Sequence, residues 1–336
     1  MAPTALVLGG TGFMGGHLCA AFRAAGHRVV CVSRGRSRTR PGDDGLVHLH
    51  HELGAPTQDV AALLADVAPQ VIVNAAGVVW QAEEARMWSL NARFAERLAH
   101  ATAALATPAR LVQLGSSHEY GPSEPGTSTA EDAVCAPVSV YGRTKLAATE
   151  AVLDTVRERG LAAVVLRVAN ATGPGVPANS LLGTVAHRLA APAPAHDGGE
   201  RAELRLAPLR AQRDFVDVRD VAAAAVLAAT APAGEVTGRV INIARGEAVP
   251  VRRLVERLIA LADRPVRLTE HRPPPEPGRA GPGQDARVLR ADLEWQQLDI
   301  SRARRLLGWQ PAVDLDTSLT DLLAAVRLPE QERTRT

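Results

Sequence analysis

Near the N-terminus the chain reads Ala5-Leu6-Val7-Leu8-Gly9-Gly10-Thr11-Gly12-Phe13-Met14-Gly15. An apolar run ends in a cluster of glycines, and a helical pattern begins at Phe13. The glycines satisfy Gly10-x-Gly12-x-x-Gly15 and Gly9-x-x-Gly12-x-x-Gly15 at once. At a strand–turn–helix corner this spacing serves a dinucleotide. A side chain there would keep a pyrophosphate from the backbone N–H groups at the positive end of the helix. Gly9, Gly12, Phe13, Met14 and Gly15 are therefore the first cofactor-binding candidates.

Outward from this corner, short β-branched runs alternate with longer Ala/Leu-rich segments. ALVLG (5–9), RVVCVS (28–33), LVHLH (46–50), QVIVNA (70–75), ARLVQL (109–114) and AAVVLRV (162–168) read as strands. They are almost continuously apolar, as strands buried on both faces of a parallel sheet are. Helical patterns cover 13–25, 56–67, 83–106 and 139–159. The alternation predicts an α/β fold, a Rossmann-type doubly wound parallel sheet. The second half is less regular. Helices are expected near 179–191, 218–230, 250–262, 301–307 and 316–326, with a strand at 239–243. The Pro-, Gly- and Arg-rich stretch 271–291 reads as a loop. The expected organisation is a cofactor domain over 1–172, to which the chain returns at about 212–243. A smaller C-terminal substrate domain would take 173–211 and 244–328, and 329–336 would be a tail.

Composition excludes several classes. The 336 residues are 46% hydrophobic and 22% charged with a net charge of +2, so neither nucleic acid nor an anionic membrane is an expected partner. No window approaches a membrane span, and no signal peptide is visible. Cys19, Cys31 and Cys135 have neither metal-ligand nor disulfide spacing, and no metal site is expected. These features predict a cytoplasmic protein.

The second strand ends at Ser33-Arg34-Gly35-Arg36. A carboxylate at this strand end would bind the adenosine ribose hydroxyls and repel a 2′-phosphate, whereas a hydroxyl and a guanidinium would bind one. Ser33, Arg34 and Arg36 thus point to NADP(H), with NAD as the alternative. Asn74, Ala75, Ala76 and Gly77 end the fourth strand, where small residues let a dinucleotide lie close. Glu52 and Leu53, just past the third strand, are placed to flank the adenine, and Asn91 lies in the following helix.

Two further motifs carry chemistry. Gly115-Ser116-Ser117-His118-Glu119-Tyr120-Gly121 ends the fifth strand, and Tyr141-Gly142-Arg143-Thr144-Lys145 opens a helix. Tyr141 and Lys145, at i and i+4, lie one turn apart on one face. An ammonium near a phenol favours the phenolate and lowers a pKa of about 10. Such a tyrosine passes a proton to or from a substrate oxygen while a nicotinamide exchanges hydride. Both residues are candidates for catalysis and for cofactor binding.

Together these motifs resemble the extended short-chain dehydrogenase/reductase family (the NAD-dependent epimerase/dehydratase family) in its nucleotide-sugar branch, over nearly the whole chain. The resemblance implies that Ser116 is the catalytic serine, hydrogen-bonding the sugar oxygen that Tyr141 protonates. Arg167–Pro174 (RVANATGP) is similar to the family segment whose asparagine, here Asn170, contacts the diphosphate; Val168 is assigned to the cofactor site. Arg213–Asp220 (RDFVDVRD) resembles the segment whose first arginine, here Arg213, binds phosphate. Arg290-Ala291-Asp292 stands near a second phosphate-binding arginine but is one residue short of that pattern. Leu307–Pro311 (LGWQP) matches a structural motif. The family implies a nucleotide-sugar substrate and a homodimer formed by the helices at 83–106 and 139–159.

The sugar dehydratases of this family carry an acid two residues before the tyrosine of the first motif, often with Asp or Ser ahead of it. Here those positions are His118 and Ser117, both retained as substrate-binding candidates. Glu119 comes one residue late. Alternation along an extended segment turns it away from the site, where it would pair with an arginine or cap a loop. That argues against a dehydratase. The expected activity is NADPH-dependent reduction of a nucleotide-linked 4-keto-6-deoxyhexose. GSSHEYG and RDFVDVRD resemble the segments of GDP-4-keto-6-deoxymannose reductases, while a dTDP-linked sugar stays open. An NAD-dependent nucleotide-sugar 4-epimerase is the alternative, and a non-catalytic NADP(H)-binding protein a third.

Overall fold

The computed structural model describes residues 2–34, 46–55, 59–79, 82–191, 202–263, 265–271 and 294–327. With elements numbered in chain order, β1 (Thr4–Leu8), β2 (Arg28–Ser33), β3 (Val47–His50), β4 (Val71–Asn74), β5 (Arg110–Ser116), β6 (Ala163–Val168) and β10 (Arg239–Ile243) form one sheet. Its order is β10-β6-β5-β4-β1-β2-β3, and every pairing is parallel. This is the predicted doubly wound sheet. The strand order reverses between β1 and β4, and ligands bind such sheets outside the carboxyl ends of the strands at that reversal.

The continuous apolar runs have a two-sided explanation. Ala5 and Val7 of β1 enter one core with Leu18 and Phe22 of α1 (Phe13–Ala24). Leu6 and Leu8 enter the opposite core with Leu64 of α2 (Val60–Val67) and Phe94 and Leu98 of α4 (Phe94–Ala103). Both faces of the strand are covered, so no position calls for a polar side chain. The single helix expected over 83–106 is broken. Short α3 (Glu84–Met87) leads into a π-helical turn, Trp88–Arg93, and then α4. The wider turn carries Asn91, whose amide bonds elsewhere in the molecule. α5 (Val140–Arg159) is capped by Ser139, whose hydroxyl accepts from the Gly142 N–H at 3.0 Å.

Beyond β6 the prediction missed several strands: β7 (Asn170–Thr172), β8 (Ala202–Leu206), β9 (Gln212–Asp217), β11 (Ala248–Pro250) and β13 (Trp295–Gln296). β9 pairs with β7, β11 and β13, while β8 pairs with β12 (Val266–Glu270). These strands are short, and their partners are distant in sequence, so no local period marks them. The helices α6 (Leu181–Ala190), α7 (Val218–Thr230), α8 (Ala233–Val236), α9 (Val251–Leu261), α10 (Ser301–Leu307) and α11 (Leu315–Arg327) complete the described chain. A third core joins α6, α9 and α11 around Phe215 and Val249. The expected loop at 271–291, apart from His271, and the expected tail at 329–336 fall outside the described residues.

The acids of RDFVDVRD all serve as clamps. Asp214 accepts from the backbone N–H groups of Arg245 (2.8 Å), Gly246 (3.0 Å) and Leu298 (3.2 Å). Its burial outweighs these bonds and pushes its carboxyl up to about 7. Asp217 caps α7 through the Arg219 N–H and pairs with the Arg219 guanidinium. Asp220 accepts from the N–H groups of Ala312 and Val313, and its carbonyl takes the Trp309 indole N–H. The LGWQP motif is thereby fastened to α7, as a structural motif should be.

The glycine corner is built as the spacing demands. Gly9 has φ +80°, open to glycine at low cost, and a Cβ there would lie 2.9 Å from the Ala75 carbonyl oxygen. A Cβ on Gly15 would lie 2.1 Å from the Gly9 carbonyl oxygen, so this glycine sets how closely α1 packs on the turn. At the neighbouring Gly16 an added Cβ meets nothing within 4 Å. Gly15→Ala should therefore lower stability in urea unfolding by about 2 kcal/mol or more. Gly16→Ala should raise it by about 0.5 kcal/mol through helix propensity. Equal effects would refute the packing argument.

Candidate active site

β5 ends at Ser116, and Ser117–Glu119 form one 3₁₀ turn closed by a capping box. The Ser116 N–H donates to Glu119 Oε1 at 2.8 Å, and the Ser116 hydroxyl accepts from the His118 N–H at 3.3 Å. The turn, rather than strand alternation, sends Glu119 inward. Glu119 is fully buried. Its Oε2 accepts from Arg167 Nε at 2.7 Å and from the Thr149 hydroxyl at 2.9 Å. Arg167 also lies over the Tyr120 ring at 4.5 Å, and the Tyr120 hydroxyl donates to Asn242 Oδ1 at 2.7 Å. Burial pushes the Glu119 carboxyl up, while Arg167, the Ser116 N–H and the Lys145 charge pull it back. An arginine partner or a capped loop was expected of Glu119, and it has both.

α5 brings the tyrosine and lysine to this strand end. The fit is tight: a Cβ on Gly142 would lie 2.4 Å from the His118 carbonyl oxygen. The Tyr141 phenol shares a hydrogen bond with the Ser116 side chain. The rings of His118 and Tyr141 meet edge to face, with centroids 5.7 Å apart. Lys145 is buried, and its ammonium donates to the Leu114 carbonyl on β5. Burial lowers its pKa, against the Glu119 charge, which raises it. The lowering expected at Tyr141 does not prevail. Burial pushes the phenol up to about 12, opposed by the Ser116 hydrogen bond and reinforced by the Glu119 charge. Ser116, Ser117, His118, Tyr141 and Lys145 thus converge at the carboxyl end of β5.

The cofactor candidates divide. At the N-terminus of α1, Gly12 is the N-cap; no side chain caps it and no acid stands in the first turn. A Cβ on Gly12 would meet only the Gly9 carbonyl oxygen, at 3.2 Å. Uncapped N–H groups beside a bare glycine surface fit a dinucleotide pyrophosphate. Phe13 and Met14 are half-buried at the start of this helix. Ser33 is buried at the end of β2, with Arg34 exposed beside it, and no carboxylate occupies either position. Glu52 is exposed beside a cavity it lines with Gly54, Ser89 and Leu90. Ala75 and Ala76 follow β4, and a Cβ on Gly77 would press on Asn91 Oδ1 at 3.2 Å.

At five of the assigned positions the side chain is engaged within the protein. The Asn91 amide is engaged by the protein: Oδ1 accepts from the Val78 N–H at 2.9 Å, and Nδ2 donates to the Val78 carbonyl at 3.0 Å and the Thr144 hydroxyl at 3.1 Å. It ties the 75–78 turn to α5 instead of offering a free amide. The side chains of Leu53 and Val168 are packed in the cores, which leaves only their backbone for a ligand. Asn170 Nδ2 donates to the Asp214 carbonyl at 2.8 Å and Gln296 Oε1 at 2.7 Å, so both its hydrogens are used within the protein. Asn74 is likewise a brace: it donates to Gln113 Oε1 at 2.8 Å and accepts from the Ala76 N–H at 3.2 Å. Arg213 is buried on β9, and burial lowers its pKa, a setting that favours an anionic ligand. Arg36 and Arg290 lie outside the described residues.

Sequence reasoning passed over Gln113 and Arg167. Both interrupt apolar strands, LVQL and AVVLRV, and a polar residue inside a buried strand is itself a signal that it has a fixed partner.

Two outcomes follow. Glu119→Gln leaves the buried Arg167 guanidinium without its counter-charge and should cost about 3–5 kcal/mol in urea unfolding. Adding Arg167→Met should recover part of that loss, and no recovery would refute the pairing. Tyr120 and Tyr141 are the chain's two tyrosines, and burial takes each to about 12. The fold favours the protonated phenols, a stabilisation present below pH 10 and lost as pH rises toward 12. Tyrosinate absorbance should appear only at the upper end of that window, and a site titrating at or below 10 would refute it.

The NAD dependent epimerase/dehydratase family matches residues 5–244. The dTDP-6-deoxy-L-talose 4-dehydrogenase (NAD(P)+) of Kitasatospora kifunensis is 41% identical over 319 residues, covering 95% of this chain and 94% of that protein. Among solved structures, MoeE5 in complex with UDP-glucuronic acid and NAD is 25% identical, with a TM-score of 0.76 over 96% of this chain and 99% of that one. RMD of Pseudomonas aeruginosa, complexed with NADPH, shares the fold at 20% identity, with a TM-score of 0.74 over 97% and 99%. The glycine corner, the Ser116–Tyr141–Lys145 grouping and these likenesses agree: the chain belongs to the NAD dependent epimerase/dehydratase family.

Proposed function

We propose that this enzyme reduces the C4 carbonyl of a dTDP-linked 4-keto-6-deoxyhexose with NADPH. The observation that carries this reading is the hydrogen-bonded Ser116–Tyr141 pair beside Lys145, with Glu119 locked into the core. A dehydratase needs a carboxyl group facing the sugar, and the glutamate nearest the reacting centre is held by Arg167, Thr149 and the Ser116 N–H. A 4-dehydrogenase and a 4-ketoreductase run one reaction in opposite directions. The name of the 41% identical relative therefore supports chemistry at C4 of a dTDP-6-deoxyhexose.

The residues fit the dinucleotide. The N–H groups of Phe13 and Met14 and the bare surface of Gly9 and Gly12 would hold the pyrophosphate, and Lys145 the nicotinamide ribose. Ser33 and Arg34 favour a 2′-phosphate, hence NADP(H) over NAD. When bound, NADP(H) supplies hydride. Ser116 orients the carbonyl oxygen, and Tyr141 gives its proton to that oxygen. A phenol held near 12 is fully protonated at neutral pH, the state a reduction requires of its acid. Arg213 binds the substrate diphosphate. The same reading takes the enzyme as a cytoplasmic homodimer joined through the outward faces of α4 and α5. Among the described residues no helix is long and apolar enough to cross a membrane.

The test is NADPH oxidation with dTDP- and GDP-4-keto-6-deoxyhexoses, with NADH alongside. Turnover should favour NADPH and the dTDP sugar. Tyr141→Phe should lower kcat by about 10²–10⁴-fold with NADPH affinity kept. A fully active Tyr141→Phe enzyme would sink the scheme. Inversion at C4 by protein carrying bound NAD, with no net oxidation, would establish the 4-epimerase instead.

A further inference from the structure

Gln296 belongs to none of the motifs described above. It lies on β13, in register with Arg213 of β9. Residues paired across neighbouring strands share a face. Asn170 of β7 is in register with Phe215, two residues beyond Arg213 and so on the same face. Arg213, Gln296 and Asn170 therefore stand together, on strands that β9 joins.

The hydrogen bonds fix the orientation of both amides. Asn170 donates to the main-chain carbonyl of Asp214, which can only accept, so the atom bonded there is Nδ2. The same Nδ2 donates to Gln296, so the facing Gln296 atom is Oε1. That leaves Gln296 Nε2, two N–H groups on a residue 4% exposed, without a hydrogen-bond partner among the described residues. Buried amide donors are almost always satisfied, and one left open beside a buried arginine is a place for a ligand acceptor.

β13 is held in place. The Ser123 hydroxyl donates to the Trp295 carbonyl at 3.2 Å, and the Trp295 indole donates to the Thr127 carbonyl at 2.7 Å. Leu298 forms a bridge with Thr129. Gln296 is thus clamped against the loop that follows the Ser116–Gly121 stretch, between that loop and the strand carrying Arg213.

The geometry points to Gln296 as a substrate-binding contact: on the function proposed above, its Nε2 donates to a phosphate oxygen of the nucleoside diphosphate beside Arg213, while its Oε1 holds Asn170. An amide donor next to a guanidinium matches a multiply accepting anion and does not match a sugar hydroxyl alone.

Gln296→Glu is the sharpest test. It keeps size and the acceptor for Asn170, and it replaces the donor by an anion. Binding of dTDP is measured by calorimetry, with NADPH binding and the melting temperature measured in parallel. Gln296→Glu should weaken dTDP by more than about tenfold, with NADPH affinity within about twofold of the wild type. Gln296→Met, which lacks both the donor and the charge, should weaken it by about three- to tenfold. KM for the ketosugar should rise in both, with kcat nearly unchanged. Wild-type dTDP affinity in either folded variant overturns the assignment of Gln296. A wild-type protein that binds neither dTDP nor GDP overturns the function itself, an outcome read before any variant is made.

Discussion

The carboxylate of Glu119 joins the three elements on which the site is built. It holds the Ser116 N–H at the end of β5, the Thr149 hydroxyl on α5 and the Arg167 guanidinium on β6. α5 carries Tyr141 and Lys145, and β6 leads directly into Asn170. One buried anion thus sets the distance between the serine and the tyrosine. Its charge also favours the protonated states of both Lys145 and Tyr141. A buried ion pair adds little net stability over a well-packed apolar pair, but it specifies one geometry, because each misplacement leaves a charge unmatched.

Three acids of the RDFVDVRD segment act as backbone clamps. Asp214, Asp217 and Asp220 recur at intervals of three, which alone could suggest a reactive face. Each accepts backbone N–H groups from a different partner segment: 245–246 with 298, the start of α7, and 312–313. The third core and the β9 sheet are assembled around these bonds. What makes Arg213 different from its acidic neighbours is its face. It lies on the face shared with Asn170 and Gln296, while Asp214, next in the strand, points the other way into the 245–246 turn.

The first half of the fold was legible because its signals are local. Apolar runs, the glycine corner and the Tyr141/Lys145 spacing each depend on residues within a few positions of one another, and β1–β6, α1 and α5 lie close to where those patterns put them. The π-helical turn at 88–93 was not legible. The Asn91 amide within it finds its partners at Val78 and Thr144, 13 and 53 residues away. β7, β11 and β13 escaped because two- or three-residue strands have too few positions to display a period, and β9 (QRDFVD) because polar residues occupy most of it.

The sequence by itself determined the sheet type, the glycine-rich strand–turn–helix corner and the one-turn spacing of Tyr141 and Lys145, because steric and periodic constraints on a turn or a helix are satisfied within the segment; Ser116 was singled out by the family resemblance. Only the tertiary structure decided which polar groups are consumed inside the protein. Asn74, Asn91, Asn170 and Glu119 all read as candidates for chemistry or capping. Their actual partners are Gln113, Thr144, Gln296 and Arg167. A side chain's availability depends on what the fold brings within about 3 Å of it, and that distance is set by packing between elements far apart in the chain.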